Sequence, residues 1–330
     1  MPKETGVMVN KRVAMIEDWN TLENFTSSNL LIGNGFSISI SGRFNYPSLI
    51  ETFGENQPIG RYWCTRELFT KFNTSNFEEV LRGIYHAFLV SIDNEDAIIT
   101  LYNDLKNALI NAICNVHPSY DEINTSDIAA IMQNYRSIYT TNYDLIPYWS
   151  ILTGNTDQFR DFFWGDDLAF DKNDTDIHGN NIPIYYLHGA IHLKSTALGG
   201  AKKSRVELSQ VNSYFRGIEF GEFPLFITEG NYKLKMHRIN ENDYLRFCYE
   251  RLSNQSGNLV IYGHSLSKEY DYHIVESIKN SGIEEIAVSV YSGLDEANKE
   301  LFVAKINELF YDSGKEVVFF SSDTHPLCLD

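Results

Sequence analysis

Asn29-Leu30-Leu31-Ile32-Gly33-Asn34-Gly35-Phe36-Ser37 is the stretch on which the fold turns. Its short apolar run reads as a buried strand, and two glycines one residue apart let the backbone turn sharply and approach a ligand where a Cβ would clash. In an open parallel sheet the ligand lies outside the carboxyl ends of the strands, where amides opening the next helix can receive phosphate. The stretch departs from the dinucleotide fingerprint. Ile38 stands where a third glycine is expected, and only Glu51 or Glu55 lies near the position of the acidic ribose ligand. A tight strand-to-helix turn with no ligand is the plainer reading of the same glycines.

Downstream of this turn, from Ser137 onward, short strands alternate with helices, the pattern of a parallel sheet with crossover connections. Strands are expected at 137–140, 184–187, 224–228, 258–262, 285–291 and 316–320. Helices are expected near 242–252, 269–281 and 294–310, the middle one stopped by Gly282 as a C-cap. Between the opening turn and Ser137, Phe77, Val80, Leu81, Ile84 and Phe88 share one helical face behind a Ser75-Asn76-Phe77-Glu78 capping box. Ile98, Leu101, Tyr102, Leu105, Leu109 and Ile113 share another, and a short helix follows near 127–134. Both stripes read as core packing. The expected architecture is α/β: one domain with a Rossmann-like parallel sheet carrying helices on both faces. Its core covers about 20–40 and 135–330, with a mostly helical lobe inserted at about 41–134.

A 330-residue chain with 43% hydrophobic and 14% aromatic residues can bury a large core. Its 27 Lys and Arg against 44 Asp and Glu give a formal charge of −17, which repels a phosphate backbone, so nucleic acid is not an expected partner. Cys64, Cys114, Cys248 and Cys328 stand far apart without a CxxC pair and read as reduced thiols, not as a zinc ribbon or a disulfide framework. The first twenty residues hold no apolar leader run and no segment approaches a membrane span. The expected setting is cytoplasmic, with no membrane partner.

Three further strands end in small or polar groups: Ile138-Tyr139-Thr140-Thr141-Asn142-Tyr143-Asp144, Tyr185-Tyr186-Leu187-His188-Gly189 and Val260-Ile261-Tyr262-Gly263-His264-Ser265. In a parallel sheet these ends share one edge, so Asn142, Asp144, His188 and Ser265 converge on the Gly33 turn. Each also has a structural role open to it. Asp144, ahead of Leu145-Ile146-Pro147, is placed to cap a helix whose first turn tolerates proline. Asn142 can satisfy turn backbone, and His188 can be a core imidazole bonded to a carbonyl. Ser265 and Ser267 can cap the helix expected from Glu269, Ser267 being the better placed, and His264 carries no signal of its own. His188 and His192 are spaced i,i+4, but Gly189, the strand-like surroundings and the missing HExxH glutamate argue against zinc, so no metal is expected. Neither a GxSxG elbow nor a GxxxxGK[ST] loop occurs.

The ordered set Gly33-Asn34-Gly35-Phe36-Ser37, Thr140-Thr141-Asn142-Tyr143-Asp144, Leu187-His188-Gly189 and Gly263-His264-Ser265-Leu266 resembles the sirtuin-like superfamily of NAD-consuming proteins. Within it the set looks most like the bacterial branch associated with phage defence, some of whose chains open with Gly-Asn-Gly-Phe. The resemblance spans about residues 29 to 320. It implies NAD as substrate, with Gly33, Asn34, Gly35 and Ser37 along its phosphates and ribose and Phe36 and Thr141 in the same binding set. Gly263 and Ser265 would meet the adenosine half. Asn142 would hold the nicotinamide ribose or the attacking water, His188 would act as general base, and Asp144 would support Asn142. Sirtuin deacylases carry a four-cysteine zinc module that is absent here, which counts against peptide deacylation, and Asn34 stands where alanine is usual. The implied activity is NAD glycohydrolysis by an abortive-infection effector that depletes NAD. Such an enzyme is expected to be restrained by a protein partner or by homo-oligomer assembly, with a gate in the segments 41–72 or 195–222. Two other classes stay open: a sensor or scaffold that holds NAD or ADP-ribose without turnover, and a protein deacylase or ADP-ribosyltransferase.

Overall fold

The structure is a computed structural model of the chain and describes residues 15–44, 58–59, 63–74, 77–153, 158–196, 198–204, 222–227 and 231–329. In chain order its strands are β1 (Ile16–Glu17), β2 (Asn29–Ile32), β3 (Pro58–Ile59), β4 (Trp63–Cys64), β5 (Ser137–Thr140), β6 (Phe159–Arg160), β7 (Ile182–Tyr186), β8 (Gly189–Thr196), β9 (Ala201–Lys203), β10 (Glu222–Phe226), β11 (Ser256–Tyr262), β12 (Gly282–Val290) and β13 (Glu316–Ser321). The helices are α1 (Asn34–Ile40), α2 (Thr65–Phe72), α3 (Phe77–Leu89), α4 (Glu95–Val116), α5 (Thr125–Met132), α6 (Ile146–Thr153), α7 (Tyr232–Glu241), α8 (Asp243–Ser253), α9 (Tyr272–Asn280) and α10 (Glu296–Phe310).

Eight strands form one parallel sheet in the order β1-β13-β12-β11-β2-β5-β7-β6, a Rossmann-like α/β arrangement. Strands covered on both faces are mainly apolar, and β2 and β5 are buried at every position, their polar members Asn29, Ser137 and Thr140 included. The order reverses at β2. From there the chain builds outward to β5 and β7, then returns to lay β11 against the other side of β2, so the switch point lies between β2 and β11. Tyr262, Ile32, Thr140 and Tyr186 form one row across β11, β2, β5 and β7. The residues that follow this row leave the sheet together at its carboxyl edge.

Between α1 and β5 the described chain is mostly helical, and Val80, Leu81, Ile84, Tyr102 and Leu105 join the same core as the sheet residues Leu31, Ile138 and Ile184. Phe88, Ile98 and Leu101, expected on the same faces, are only half-buried. Ser75 and Asn76 of the capping box and the side chains of Phe77, Glu78, Leu109 and Ile113 lie outside the described residues. Among the described residues no helix is long and apolar enough to cross a membrane.

Four expectations need correction. The apolar run at 224–228, read as a member of the parallel sheet, supplies β10, which pairs antiparallel with β8 in a separate sheet ordered β10-β8-β9; Thr228 itself lies outside the described residues. The two-residue connection from β7 to β8 is too short for the crossover that a parallel neighbour requires, so β8 leaves the main sheet, and β10 pairs with it. Gly282 does not cap α9: extended Ser281 (φ −79°, ψ 172°) ends the helix and Gly282 opens β12. That helix also starts at Tyr272 and not near Glu269, because Ser267 closes a turn by accepting the Tyr270 amide at 3.3 Å. The sheet begins earlier than residue 20, at β1, which pairs with β13.

Candidate active site

The glycines meet one another at the switch point. The Gly33 amide donates to the Tyr262 carbonyl (3.0 Å) and the Gly35 amide to the Gly263 carbonyl (2.8 Å). A Cβ on Gly33 would lie 2.7 Å from the Gly263 oxygen, and one on Gly263, where φ is +66°, would lie 2.4 Å from the Phe36 nitrogen. These residues are thus required where the β2–α1 turn crosses the end of β11, a reason distinct from the ligand approach inferred from sequence. The Gly263 amide is in turn held by Ser289 Oγ at 2.9 Å.

One strand over, Asn142 stands just beyond the end of β5, 4% exposed. Its Nδ2 donates to the Gly33 carbonyl (3.0 Å) and to Ser37 Oγ (2.7 Å), and Ser37 Oγ donates to Asp144 Oδ2 (2.5 Å). The direction of this chain is fixed chemically. The Gly33 carbonyl can only accept, and the serine proton is committed to the carboxylate, so the amide must turn its nitrogen inward. Asn142 Oδ1 is therefore left as a buried acceptor, with no hydrogen-bond partner among the described residues. Asp144 also accepts the Ile146 amide at 2.9 Å, so it holds the start of α6 and supports Asn142 at once. Burial pushes its carboxyl above the usual range, opposed by His117 and by the bonds from Ser37 and Ile146. Burial likewise depresses His117, against the pull of Asp144. His117 Nε2 accepts the Leu145 amide (2.9 Å) while Nδ1 faces the Pro118 carbonyl (2.8 Å), which is the bonding of a neutral ring.

His188 occupies the turn between β7 and β8, 3% exposed. Gly189 makes the turn possible: at φ +74°, a Cβ there would sit 2.1 Å from the Leu225 oxygen. The His188 carbonyl accepts the Ile227 amide (2.8 Å), tying the turn to β10. Its Nε2 faces Nε2 of His273 at 2.8 Å. Burial, aided by the Lys235 ammonium and the His273 and His264 rings, holds the His188 imidazole well below its ordinary value and keeps it neutral. Lys235, 6% exposed on α7, donates to Asp271 Oδ1 at 3.0 Å. Burial alone would raise Asp271, but His264 and Lys235 together outweigh it and bring the carboxyl below the usual range.

Phe36 is fully buried, and Thr141 is half-buried with its amide turned back to the Ile32 carbonyl (3.1 Å). Asn34 and Ser265 are exposed, the latter offering its carbonyl to Lys305 Nζ at 3.3 Å. The bonded group thus unites Gly33, Ser37, Asn142 and Asp144. His188 belongs to a second group with His273, Asp271 and Lys235, none of which was selected from sequence. Asp271-Tyr272-His273, opening a helix soon after the Gly263 strand end, was a usable signal; Lys235 had none. His188, Asp271 and His273 offer ligand atoms within 4.8 Å of one another. The Lys235 ammonium pairs with Asp271 and the two imidazoles pair through their Nε2 atoms, while His273 Nδ1 has no hydrogen-bond partner among the described residues.

Residues 30–328 match the family described as “Domain of unknown function (DUF4917)”, and the chain belongs to that family. No curated protein matches it. One solved structure, described as “Structural Basis for the Mechanism and Regulation of Sir2 Enzymes”, aligns over 92% of this chain and 89% of its own, at 9% identity and a TM-score of 0.34. A likeness that loose carries no argument about function.

Proposed function

We propose that this member of the DUF4917 family is an NAD glycohydrolase that cleaves the nicotinamide–ribose bond to give nicotinamide and ADP-ribose. The observation that carries the reading is the buried Asn142 Oδ1, without a partner among the described residues, one strand from the switch point, with neutral His188 at the end of the adjacent strand. The four motifs that resemble the sirtuin-like superfamily in their order along the chain support it.

Cleavage of this bond passes through an oxocarbenium-like state, and nicotinamide is already a good leaving group, so the site needs positioning more than a strong acid. Asn142 Oδ1 accepts a hydrogen bond from a ribose hydroxyl or from the attacking water. Its Nδ2 bonds to Gly33 and Ser37 keep the amide from rotating. His188, uncharged at neutral pH, takes the proton that the water loses, a contribution typically of about 10²- to 10⁴-fold. Gly33, Asn34, Gly35, Phe36 and Ser37 belong to the phosphate and ribose side of the proposed NAD site, with Thr141. Gly263 and Ser265 belong to its adenosine side. Depletion of NAD as an anti-phage, abortive-infection response in a bacterial cytoplasm, restrained by a partner or by assembly, extends the proposal on the resemblance alone.

The test is product analysis after incubating the purified protein with NAD labelled in the adenine ring. Equimolar nicotinamide and free labelled ADP-ribose is the expected result. Saturable binding with NAD recovered intact would instead identify a sensor or scaffold, and label carried onto protein a transferase.

A further inference from the structure

We propose that His273 is a positioning residue for His188 and the second half of an imidazole–imidazole relay: it fixes the tautomer of His188 and takes its Nε2 proton when His188 receives one at Nδ1. The inference deepens the glycohydrolase reading and rests on it.

Two Nε2 atoms 2.8 Å apart can share only one proton, so one ring donates and the other accepts. If His188 donates, its Nδ1 carries a lone pair, as a general base requires, and His273 bears its own proton on Nδ1. That Nδ1 is buried and has no hydrogen-bond partner among the described residues, so this tautomer carries the cost of one unpaired buried N–H. The rings are tilted by 31° with centroids 5.0 Å apart. His273 is itself anchored: it lies in the first turn of α9, 1% exposed, and its carbonyl accepts Tyr249 Oη at 3.2 Å.

The charges facing the pair come from three elements: Asp271 ahead of α9, Lys235 on α7, and the His264 ring after β11. Asp271 stands at the N-cap position of α9 without capping it, because its carboxylate is turned to Lys235. Burial depresses His273 to about 3, with Asp271 pulling upward and Lys235 and His264 pushing down. At rest both rings are neutral, and the carboxylate that would stabilise a proton on His273 is already present and balanced by the ammonium.

In the step itself an O–H bond of water breaks as its oxygen bonds to the ribose C1′. The C1′–N bond breaks with its electron pair going to nicotinamide, which leaves uncharged. The water proton goes to His188 Nδ1, and the His188 Nε2 proton goes to His273 Nε2. The positive charge lost from the nicotinamide ring thereby reappears on the imidazole pair, next to Asp271.

The experiment pairs steady-state kinetics with ¹⁵N-histidine NMR on the full chain, comparing wild type, His273→Ala and the size-conserving His273→Gln. We expect His273→Ala to lower kcat by about 10- to 10²-fold with KM nearly unchanged. The acidic limb of kcat should move to higher pH, because the His273 ring helps push the His188 imidazole down and its removal relieves that push, and His273→Gln should recover part of the loss in kcat. The His188 Nε2 resonance should shift in both variants. Unchanged kcat, pH profile and His188 resonance in either folded variant would overturn the relay. If no form of the protein turns over NAD, the glycohydrolase reading fails by itself, and unchanged His188 resonances then decide separately against the pair.

Discussion

Ser37 is the residue through which the asparagine and the aspartate at the site act together. Its one hydroxyl accepts from Asn142 and donates to Asp144, so neither partner can be altered without turning the other. Ser37→Ala should leave a buried carboxylate short of a donor and cost about 1–3 kcal/mol, read as a lower midpoint in urea unfolding. It should also slow nicotinamide release, and because the two residues share one hydrogen-bond chain, the double variant Ser37→Ala/Asn142→Ala should lose little more activity than Asn142→Ala alone. Additive losses would mean that the serine acts independently. His188 gives a second outcome at this scale: with its imidazole held well below the ordinary value, kcat should not fall between pH 7 and 6, where an unperturbed imidazole base would already be losing activity.

Among the elements, the crossing of the β2–α1 turn over the end of β11 depends most on its backbone. Gly263→Ala combines a positive φ with a Cβ 2.4 Å from the Phe36 nitrogen and should destabilise by about 2 kcal/mol or more. Gly42→Ala, with nothing within 4 Å of the added Cβ, should stay within about 0.5 kcal/mol in the same unfolding assay. These crossing strands were also the most legible part of the sequence. β5 falls at 137–140 as read, and the cores of β7, β11, β12 and β13 lie within a few residues of their expected places, because buried parallel strands carry short apolar runs bounded by turn residues. The β8–β9–β10 sheet was not legible, since an apolar run such as 224–226 has no period that separates parallel from antiparallel pairing. α7 was missed because its buried residues are Lys235 and Ile239, a pattern with no apolar stripe. The site divides in the same way. Asn142, Asp144 and His188 follow strand ends and could be singled out from the sequence as candidates, whereas the Lys235–Asp271 pair joins α7 to the residue ahead of α9, 36 positions on, and leaves no local trace.

Over the whole molecule, six of nine histidines are buried with depressed values: His117, His188, His192, His264, His273 and His325. Each stays neutral in the folded chain at pH values where the unfolded chain would protonate it near 6.5. Their contribution to stability is therefore complete above about pH 6.5 and is lost as pH falls, by up to about 1.4 kcal/mol per pH unit per histidine. The decline continues toward about 3, where His273 and His325 titrate in the folded state. Asp144, shifted upward, opposes it above the unfolded value of 3.8. Urea midpoints should fall steeply between pH 7 and 5, and a flat profile would show that these rings are not held neutral. The measurement that tests the functional claim most directly is nicotinamide release from NAD by wild type, Asn142→Ala and His188→Ala, each accompanied by a thermal melt. Release by wild type and its loss by at least about 10²-fold in both folded variants is the predicted result. Undiminished release by either folded variant, or none from wild type whose melt does not respond to NAD, would contradict it.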